Sequence, residues 1–506
     1  MSLTADFIVV GAGSAGCIAA AELARREAGS VLLIEAGPTD RSPLVKMPFG
    51  LIWLIGSARR DWCYQSTPQK HLGGRRLAVT RGRMVGGSGS INSMVWFRGR
   101  RDDFDNWELP GWSWADVAPA FEAIEARLTP SQMNGAHPLS EALHSMFPGC
   151  GTEPPTPEYE SAGVFAFNMV GGRRRSAADG FLKPTPEGLT VMTGQEVDRI
   201  LFEGDWAKGV MLTDGTTLRA GKGVVLSAGS IGSPSILMRS GIGPADQLAG
   251  LGIDILHDSE EVGENLHDHP AAGLHFAGPG SGYGLTPAQV PAWALAPFQY
   301  AALHRGRFAS PTVEAGAFFN AHALDAAPDV QTHFIPFMLG WQGKRYVYGS
   351  GYFADVGICR PKSRGALRLT SRDPRVAPEI DLGLFNDSSD LDTLVAGLKR
   401  LRVLMDEADF GPRRAPEAFP GPSVQSDEAL RAHVRDCGAT AYHPVGTLRM
   451  SNVVSAPVDP RLSVRGIGGL WVADASVMPV VTSANTNAPS MMIGWKGAQF
   501  ISEDVT

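Results

Sequence analysis

The sequence predicts an α/β protein: a dinucleotide-binding unit of parallel strands joined to a second domain with a sheet of its own. Three observations carry that prediction. The apolar, β-rich run Phe7 to Gly16, FIVVGAGSAG, breaks into three glycines and then into CIAAAELARRE, whose alanines, Leu23 and closing charges read as an amphipathic helix. A second apolar run, VLLIEAG at Val31 to Gly37, follows at the spacing of a βαβ unit. The middle of the chain, about 271–430, changes character, to Gly/Pro-rich loops and extended segments such as DVQTHFIPFML and GALRLTS, before the opening style returns near Thr440.

Each part of the first unit has a physical role. Gly11 permits the tight turn, Gly13 lets the backbone approach a pyrophosphate, and Gly16 lets the helix pack close to the strand while its first N–H groups face the anion. Glu35 ends the second strand, where a carboxylate accepts from ribose hydroxyls, and an acid there argues against a 2′-phosphate. The unit is therefore expected to bind ADP as part of FAD or NAD, and by itself does not choose between them.

At 506 residues, the chain has length for two or three domains and a large core. Its net charge of −7 gives no electrostatic footprint for nucleic acid or an anionic membrane. The five cysteines, Cys17, Cys63, Cys150, Cys359 and Cys437, form no CxxC pair or Cys/His cluster and are expected to be reduced. Only MSLTAD precedes the first strand and no apolar run reaches spanning length, so a cytoplasmic location with no transmembrane segment is expected.

Further along, Gly82, Gly86, Gly87 and Gly89 alternate with Ser88, Ser90, Asn92 and Ser93 before the apolar MVWF, a run able to wrap a flat cofactor in backbone N–H groups, or to be a flexible loop. Residues 102–127 read as helical with a turn at ELPGW, 129–160 as irregular, and Arg173 to Arg175 as a solvated basic face. From Leu189, short strands separated by EGD and DGT lead into VVLSAGS, which reads as the last strand of a dinucleotide domain. Leu391 to Ala408 reads as an amphipathic helix, LWVADASVMP as a buried strand, and SANTNAPSMMIGWKGAQFI as a loop opening the last helix. The mid-chain aromatics Trp341, Tyr346, Tyr348, Tyr352 and Phe353 are assigned no role.

Together these segments resemble the glucose–methanol–choline (GMC) flavoprotein oxidoreductases, in that family's order and over nearly the whole chain. The resemblance rests on GAGSAG with Glu35, RGRMVGGSGSINSMVWFRG at Arg81 to Gly99, GSIGSPSILMRSGIG at Gly229 to Gly243, VGENLHDHP at Val262 to Pro270, HPVGT at His443 to Thr447, and VADASVMP with ANTNAP. The wording is nearest to the choline-dehydrogenase-like bacterial branch. The resemblance implies an FAD-binding Rossmann-like domain (1–136, 190–271 and 438–506) interleaved with an α+β substrate domain carrying an antiparallel sheet (137–189 and 272–437), non-covalent FAD, and oxidation of a small alcohol. The electron acceptor, oxygen or a quinone- or dye-type molecule, stays open.

Alcohol oxidation on a flavin requires loss of the hydroxyl proton to a base and passage of a hydride from carbon to flavin N5. Histidine suits the first task, with a reference pKa of about 6.5, and the resemblance makes His443 the base. Asn487 is expected as its polar partner, by its offset from His443 and its place before Ala-Pro; Asn485, two residues earlier, is expected against the cofactor. The resemblance further implies cofactor contacts from Gly11, Gly13, Ser14, Ala15, Gly16, Glu35 and Ala36; from Arg83, Val85, Gly86, Gly87, Ser90, Asn92, Ser93, Met94 and Val95; and from Val197, Ala228, Gly229, Asp474, Ala475, Asn487 and Pro489. Ile91, before Asn92, stands where covalently tethered members carry a histidine. His267 and His269 form an HxH pair that reads as a structural turn, with no metal. A non-redox, FAD-containing lyase of the same fold is the alternative, along with an NAD-linked enzyme or a binding protein.

Overall fold

A computed structural model describes residues 4–322, 325–342 and 345–505, and the side chains of 339–342 and 345–348 fall outside that description. Trp341, Tyr346 and Tyr348 belong to that group. Two seven-stranded sheets dominate the described residues. In the first, strand Thr4–Val10 lies parallel between Val31–Glu35 and Thr217–Leu226, and Leu189–Thr193 extends the parallel set beyond Val31–Glu35. Leu470–Val472 adds a further parallel strand beside the end of Thr217–Leu226, while Trp206–Leu212 and Val197–Glu203 complete the sheet antiparallel. Strands covered on both faces need continuous apolar runs, and all five residues of Val31–Glu35 are buried. VVLSAGS does not close the sheet as its last strand: it pairs with the first strand, at the centre.

Helix α1 (Ser14–Arg25) leaves the first strand through the glycine turn. Gly11 adopts φ +97°, a conformation that favours glycine. The second sheet is antiparallel and runs, in spatial order, Glu417–Phe419, Pro270–Ala277, Gly351–Ile358, Val330–Ile335, Ala315–Phe319 and Ser161–Val164, with Ala439–Thr440 beside Pro270–Ala277. Helix Ser388–Glu407 packs against two of these strands. Within the stretch read as loops and extended chain, the structure contains a further helix, α2 (Val290–Leu303), which has prolines at 291 and 297 and no apolar stripe to announce it. Helix α3 (Asn487–Val505) ends the chain and packs on α1. Cys17, Cys63, Cys150 and Cys359 are free, and no described helix is long and apolar enough to cross a membrane.

The two inner glycines of the turn differ in a way that mutation can read. A Cβ on Gly16 would lie 1.9 Å from the Gly11 carbonyl oxygen, a backbone atom that cannot swing aside, whereas a Cβ on Gly13 meets its nearest neighbour at 3.9 Å. Gly16→Ala should therefore destabilise the protein by roughly 1–3 kcal/mol or more, and Gly13→Ala should leave the melting temperature of the unliganded protein nearly unchanged. Thermal unfolding followed by circular dichroism compares them; equal losses would contradict this account of the turn.

Candidate active site

The carboxyl ends of the parallel strands open into one large cleft of about 940 Å3 that runs from the glycine turn to the second sheet. At the turn, Gly11, Gly13, Ser14, Ala15, Glu35 and Ala36 line it. Both Glu35 oxygens accept from backbone, Oε1 from Gly37 N at 2.8 Å and Oε2 from Ala12 N at 3.0 Å, leaving each a further lone pair. Burial pushes the pKa of this carboxyl up. Gly87, Asn92, Ser93, Met94 and Val95 line the next wall, followed by Val197, Ala228, Gly229, Asp474 and Ala475. Gly16, Arg83, Val85, Gly86, Ser90 and Pro489 do not reach the cleft and sit behind its lining. Ser90 donates its hydroxyl to the Val85 carbonyl at 2.8 Å, and Arg83 pairs with Glu196 at 3.0 Å while lying over the Trp62 ring.

The serine- and glycine-rich wall has an organiser that the sequence did not identify. Arg174, expected on a solvated basic face, is 2% exposed and donates to the carbonyls of Val45, Gly89 and Asn92 and to Asn92 Oδ1. Its flanking arginines hide it from composition-based reading. Asp474, at the end of its strand, accepts from Gly229 N at 2.8 Å, Ser233 Oγ at 2.6 Å, and both the N–H and hydroxyl of Ser476. It thus ties a second glycine turn, at Ala228 and Gly229 after strand Thr217–Leu226, to strand Leu470–Val472.

At the far end of the cleft stands His443, on a loop pinned by Asp268. Asp268 Oδ1 accepts from His443 N at 2.9 Å, Oδ2 accepts from the Thr440 hydroxyl, and Arg81 donates to the Tyr442 carbonyl. His269 Nε2 lies 3.0 Å from the Thr482 carbonyl oxygen, and its Nδ1 lies 3.0 Å from His443 Nδ1. A carbonyl can only accept, so His269 carries its proton on Nε2. Burial holds His269 neutral, with its pKa down to about 4, so its Nδ1 must accept. His443 therefore carries its proton on Nδ1, and its Nε2 is left unprotonated, an acceptor at the cleft wall. Burial first, then the nearby His269, His333 and Arg81, lowers the His443 pKa well below 6.5.

Two expectations are corrected here. Asn485, not Asn487, meets His443: Asn485 Nδ2 donates to His443 Nε2 at 3.1 Å, while its Oδ1 accepts from Gln331 Nε2 at 3.0 Å, which fixes the amide's orientation. Asn487 instead accepts from Ser14 Oγ at 2.7 Å, because it is already the first residue of α3, which packs on α1 and aims its opening side chain at the glycine turn. His269, read as a turn residue, contacts His443 directly. His267 does behave as a turn tie, with Nδ1 donating to Asn265 O at 2.6 Å and Nε2 accepting from Val481 N at 2.9 Å.

The second sheet contributes groups that the sequence reading did not assign. His333 shares its strand face with Gln331, lies 3.2 Å from Asp355 on the neighbouring strand, and points Nε2 to 3.4 Å from Asn485 Nδ2. Burial disfavours the His333 cation, but Asp355 outweighs it and the net shift of its pKa is upward. Long polar side chains at alternate positions of one strand, Gln331 and His333 in DVQTHFIPF, were the available signal.

Two buried polar atoms beside the cleft, Asn487 Nδ2 and Ser230 Oγ, have no protein partner. A buried amide or hydroxyl left so is costly, and both atoms fit a polar ligand occupying the cleft between the glycine turns. The donor set as a whole, two strand-end turns and the Glu35 carboxylate at the end of the second strand, fits the FAD expected from the sequence.

A sheet whose parallel strands open at their carboxyl ends into a cleft roofed by a second, antiparallel sheet defines the class as a two-domain α/β protein with its ligand cleft at the strand ends. The chain belongs to the GMC oxidoreductase family, whose N- and C-terminal family models match residues 5–271 and 361–494. It is 35% identical to an alcohol dehydrogenase [acceptor] of Pseudomonas putida, over 98% of this chain and 95% of that one. It is also 35% identical to an oxygen-dependent choline dehydrogenase of Rhizobium johnstonii, over 99% and 96% of the two chains. Among solved structures, a formate oxidase of Aspergillus oryzae RIB40, studied for modification of its FAD, superposes with a TM-score of 0.88 at 25% identity over 100% of each chain.

Proposed function

We propose that this chain oxidises an alcohol CH–OH group to an aldehyde or ketone, with His443 Nε2 as the base and non-covalent FAD in the cleft. One observation carries the reading: the hydrogen-bond chain from the Thr482 carbonyl through His269 to His443, which leaves a neutral, single-tautomer imidazole with its lone pair facing the cleft. FAD, when bound, supplies the acceptor for the hydride. The relatives named for alcohol and choline oxidation support the donor class. The unpartnered Asn487 and Ser230 atoms and the Glu35 turn support a dinucleotide in the cleft. In this reading Asn485 holds His443 and, through its amide N–H, stabilises the negative charge that develops on the substrate oxygen. Gln331 keeps that amide turned correctly.

Non-covalent attachment is supported by Ile91, an apolar side chain with no nucleophilic atom at the tethering position. Acid precipitation of the purified protein should then leave the yellow colour in the supernatant; a coloured pellet would refute it.

His443→Ala should slow alcohol-driven flavin reduction by roughly two to four orders of magnitude while cofactor content is retained. Asn485→Asp, which puts a negative charge beside the developing alkoxide, should cost roughly two orders or more. Asn487→Asp, facing Ser14, should act mainly on FAD affinity. Stopped-flow reduction at saturating alcohol ranks the three variants, and an Asn487→Asp enzyme slower in reduction than Asn485→Asp would undo the assignment.

The pH profile distinguishes the two cleft histidines. His443 must be neutral to accept a proton, and its pKa lies well below 6.5, so its contribution is complete at neutrality and lost only in acid. His333 has its pKa raised above 6.5, and its protonated form would place an N–H against the Asn485 amide that donates to it. Reduction should thus fall, as pH drops, through a limb above 6.5 that moves to lower pH in Asp355→Asn. A limb that stays in place in that variant would exclude His333 as its source.

A further inference from the structure

The described surface carries one concentrated apolar region, and it comes from two chain segments packed together. Ile52, Trp53 and Ile55 are 39%, 48% and 44% exposed, while Val290, Leu295, Phe298 and Leu303 on α2 are 60%, 56%, 73% and 65% exposed. Phe49 joins the segments, stacking on Phe308 at 5.6 Å and touching both Trp53 and Trp293. Only Ala296 of α2 is fully buried. A soluble surface helix normally turns a polar face outward; α2 turns outward alanines, prolines, Leu295 and Phe298. Ile55 and Phe337, which packs on Phe49, also line the cleft, so the region reaches the cleft's rim.

Charge around this region is one-sided. The stretches 41–60 and 269–313 contain no Asp or Glu, against an overall net charge of −7. Arg59 follows Ile55 closely, Arg305 follows the end of α2, and Arg173 lies beside His304, since a Cβ on the adjoining Gly172 would meet the His304 carbonyl at 1.9 Å. All three arginines are exposed, and among the described residues none forms an ion pair with a carboxylate. Apolar and aromatic side chains at the centre with cations at the rim are the chemistry of a bilayer interface, where the centre enters the acyl boundary and the rim meets anionic headgroups.

We propose that α2 and the 51–55 segment form a docking surface for an anionic phospholipid membrane, on which the protein sits peripherally with the cleft's rim toward the lipid. A second copy fits less well: in a two-fold dimer the patch faces itself, bringing arginine rim against arginine rim with no carboxylate from either segment between them. This inference is independent of the proposed reaction.

The test uses the FAD-loaded full chain with phosphatidylcholine vesicles and with mixed phosphatidylcholine–phosphatidylglycerol vesicles, read by co-sedimentation. Wild type should partition to the mixed vesicles and much less to the neutral ones. Leu295→Ser with Phe298→Ser should weaken partitioning roughly tenfold or more. Arg59→Gln with Arg305→Gln should remove most of the preference for phosphatidylglycerol, and added salt should do the same. Thermal unfolding and size-exclusion light scattering accompany each variant, with unchanged melting temperature and mass expected. No partitioning at low salt, or partitioning that survives both double variants, overturns the proposal. So does a wild-type dimer that the serine variant splits, which would make the patch a self-interface.

Discussion

Four buried carboxylates hold the cleft in shape, each by accepting backbone N–H groups from a loop that carries functional side chains. Glu35 holds the first glycine turn, Asp474 the second, and Asp268 the His443 loop. Asp103 accepts from Arg100 N and Ser483 N and pairs with Arg360, fixing the approach to Asn485. Burial raises the pKa of all four, that of Asp268 to about 6. Hydrogen bonds to a charged acceptor contribute about 1.5–3 kcal/mol each and oppose the burial that pushes these pKa values up. Loops cannot be positioned by apolar packing alone, since their backbone groups need partners. Here the partners are carboxyl groups placed once per loop.

The same accounting fixes the imidazoles. A buried histidine has two nitrogens to satisfy, and the partner of one decides the protonation of the other. The Thr482 carbonyl therefore reaches through His269 to set which nitrogen of His443 is bare. Asn485 completes the pattern from the other side, with its acceptor taken by Gln331 and its donors left for His443 and His333. These residues come from four separate stretches of the chain and meet only because the second sheet is laid over the parallel strand ends.

What the sequence makes legible follows from range. The glycine turn, its helix and Glu35 are local, governed by φ and by the period of apolar residues, so they can be read directly. The two-sheet architecture is legible because motifs recur in order along the whole chain. The choice between Asn485 and Asn487 is not, because it depends on the residue at which α3 begins, and helix starts shift by a residue or two in any sequence reading. The bond between His269 and His443 joins positions 174 apart and leaves no local trace. Arg174 is hidden for a different reason: three arginines in a row resemble a solvated face, and only packing reveals that one of them points inward. Helix α2 violates the pattern rule outright, having prolines and no polar face, and such departures from local consistency tend to mark surfaces shaped for something other than folding.

Burial poses a problem for the proposed base that the hydrogen-bond chain resolves. Lowering the His443 pKa keeps the imidazole neutral and ready, yet each unit of lowering removes 1.36 kcal/mol from its affinity for the proton it must take. Part of that is recovered once the proton arrives. The Nδ1–H of the resulting cation already donates to His269 Nδ1, a neutral acceptor held in place by Thr482, so the new charge is met by a bond that needs no rearrangement. The Asn485 N–H that had donated to Nε2 loses its acceptor at the same moment, and the nearest developing negative charge is the substrate oxygen that gave up the proton. In the proposed reaction the amide would thus pass from stabilising the free base to stabilising the alkoxide, an exchange that, unlike ground-state binding, would act only as the reaction proceeds.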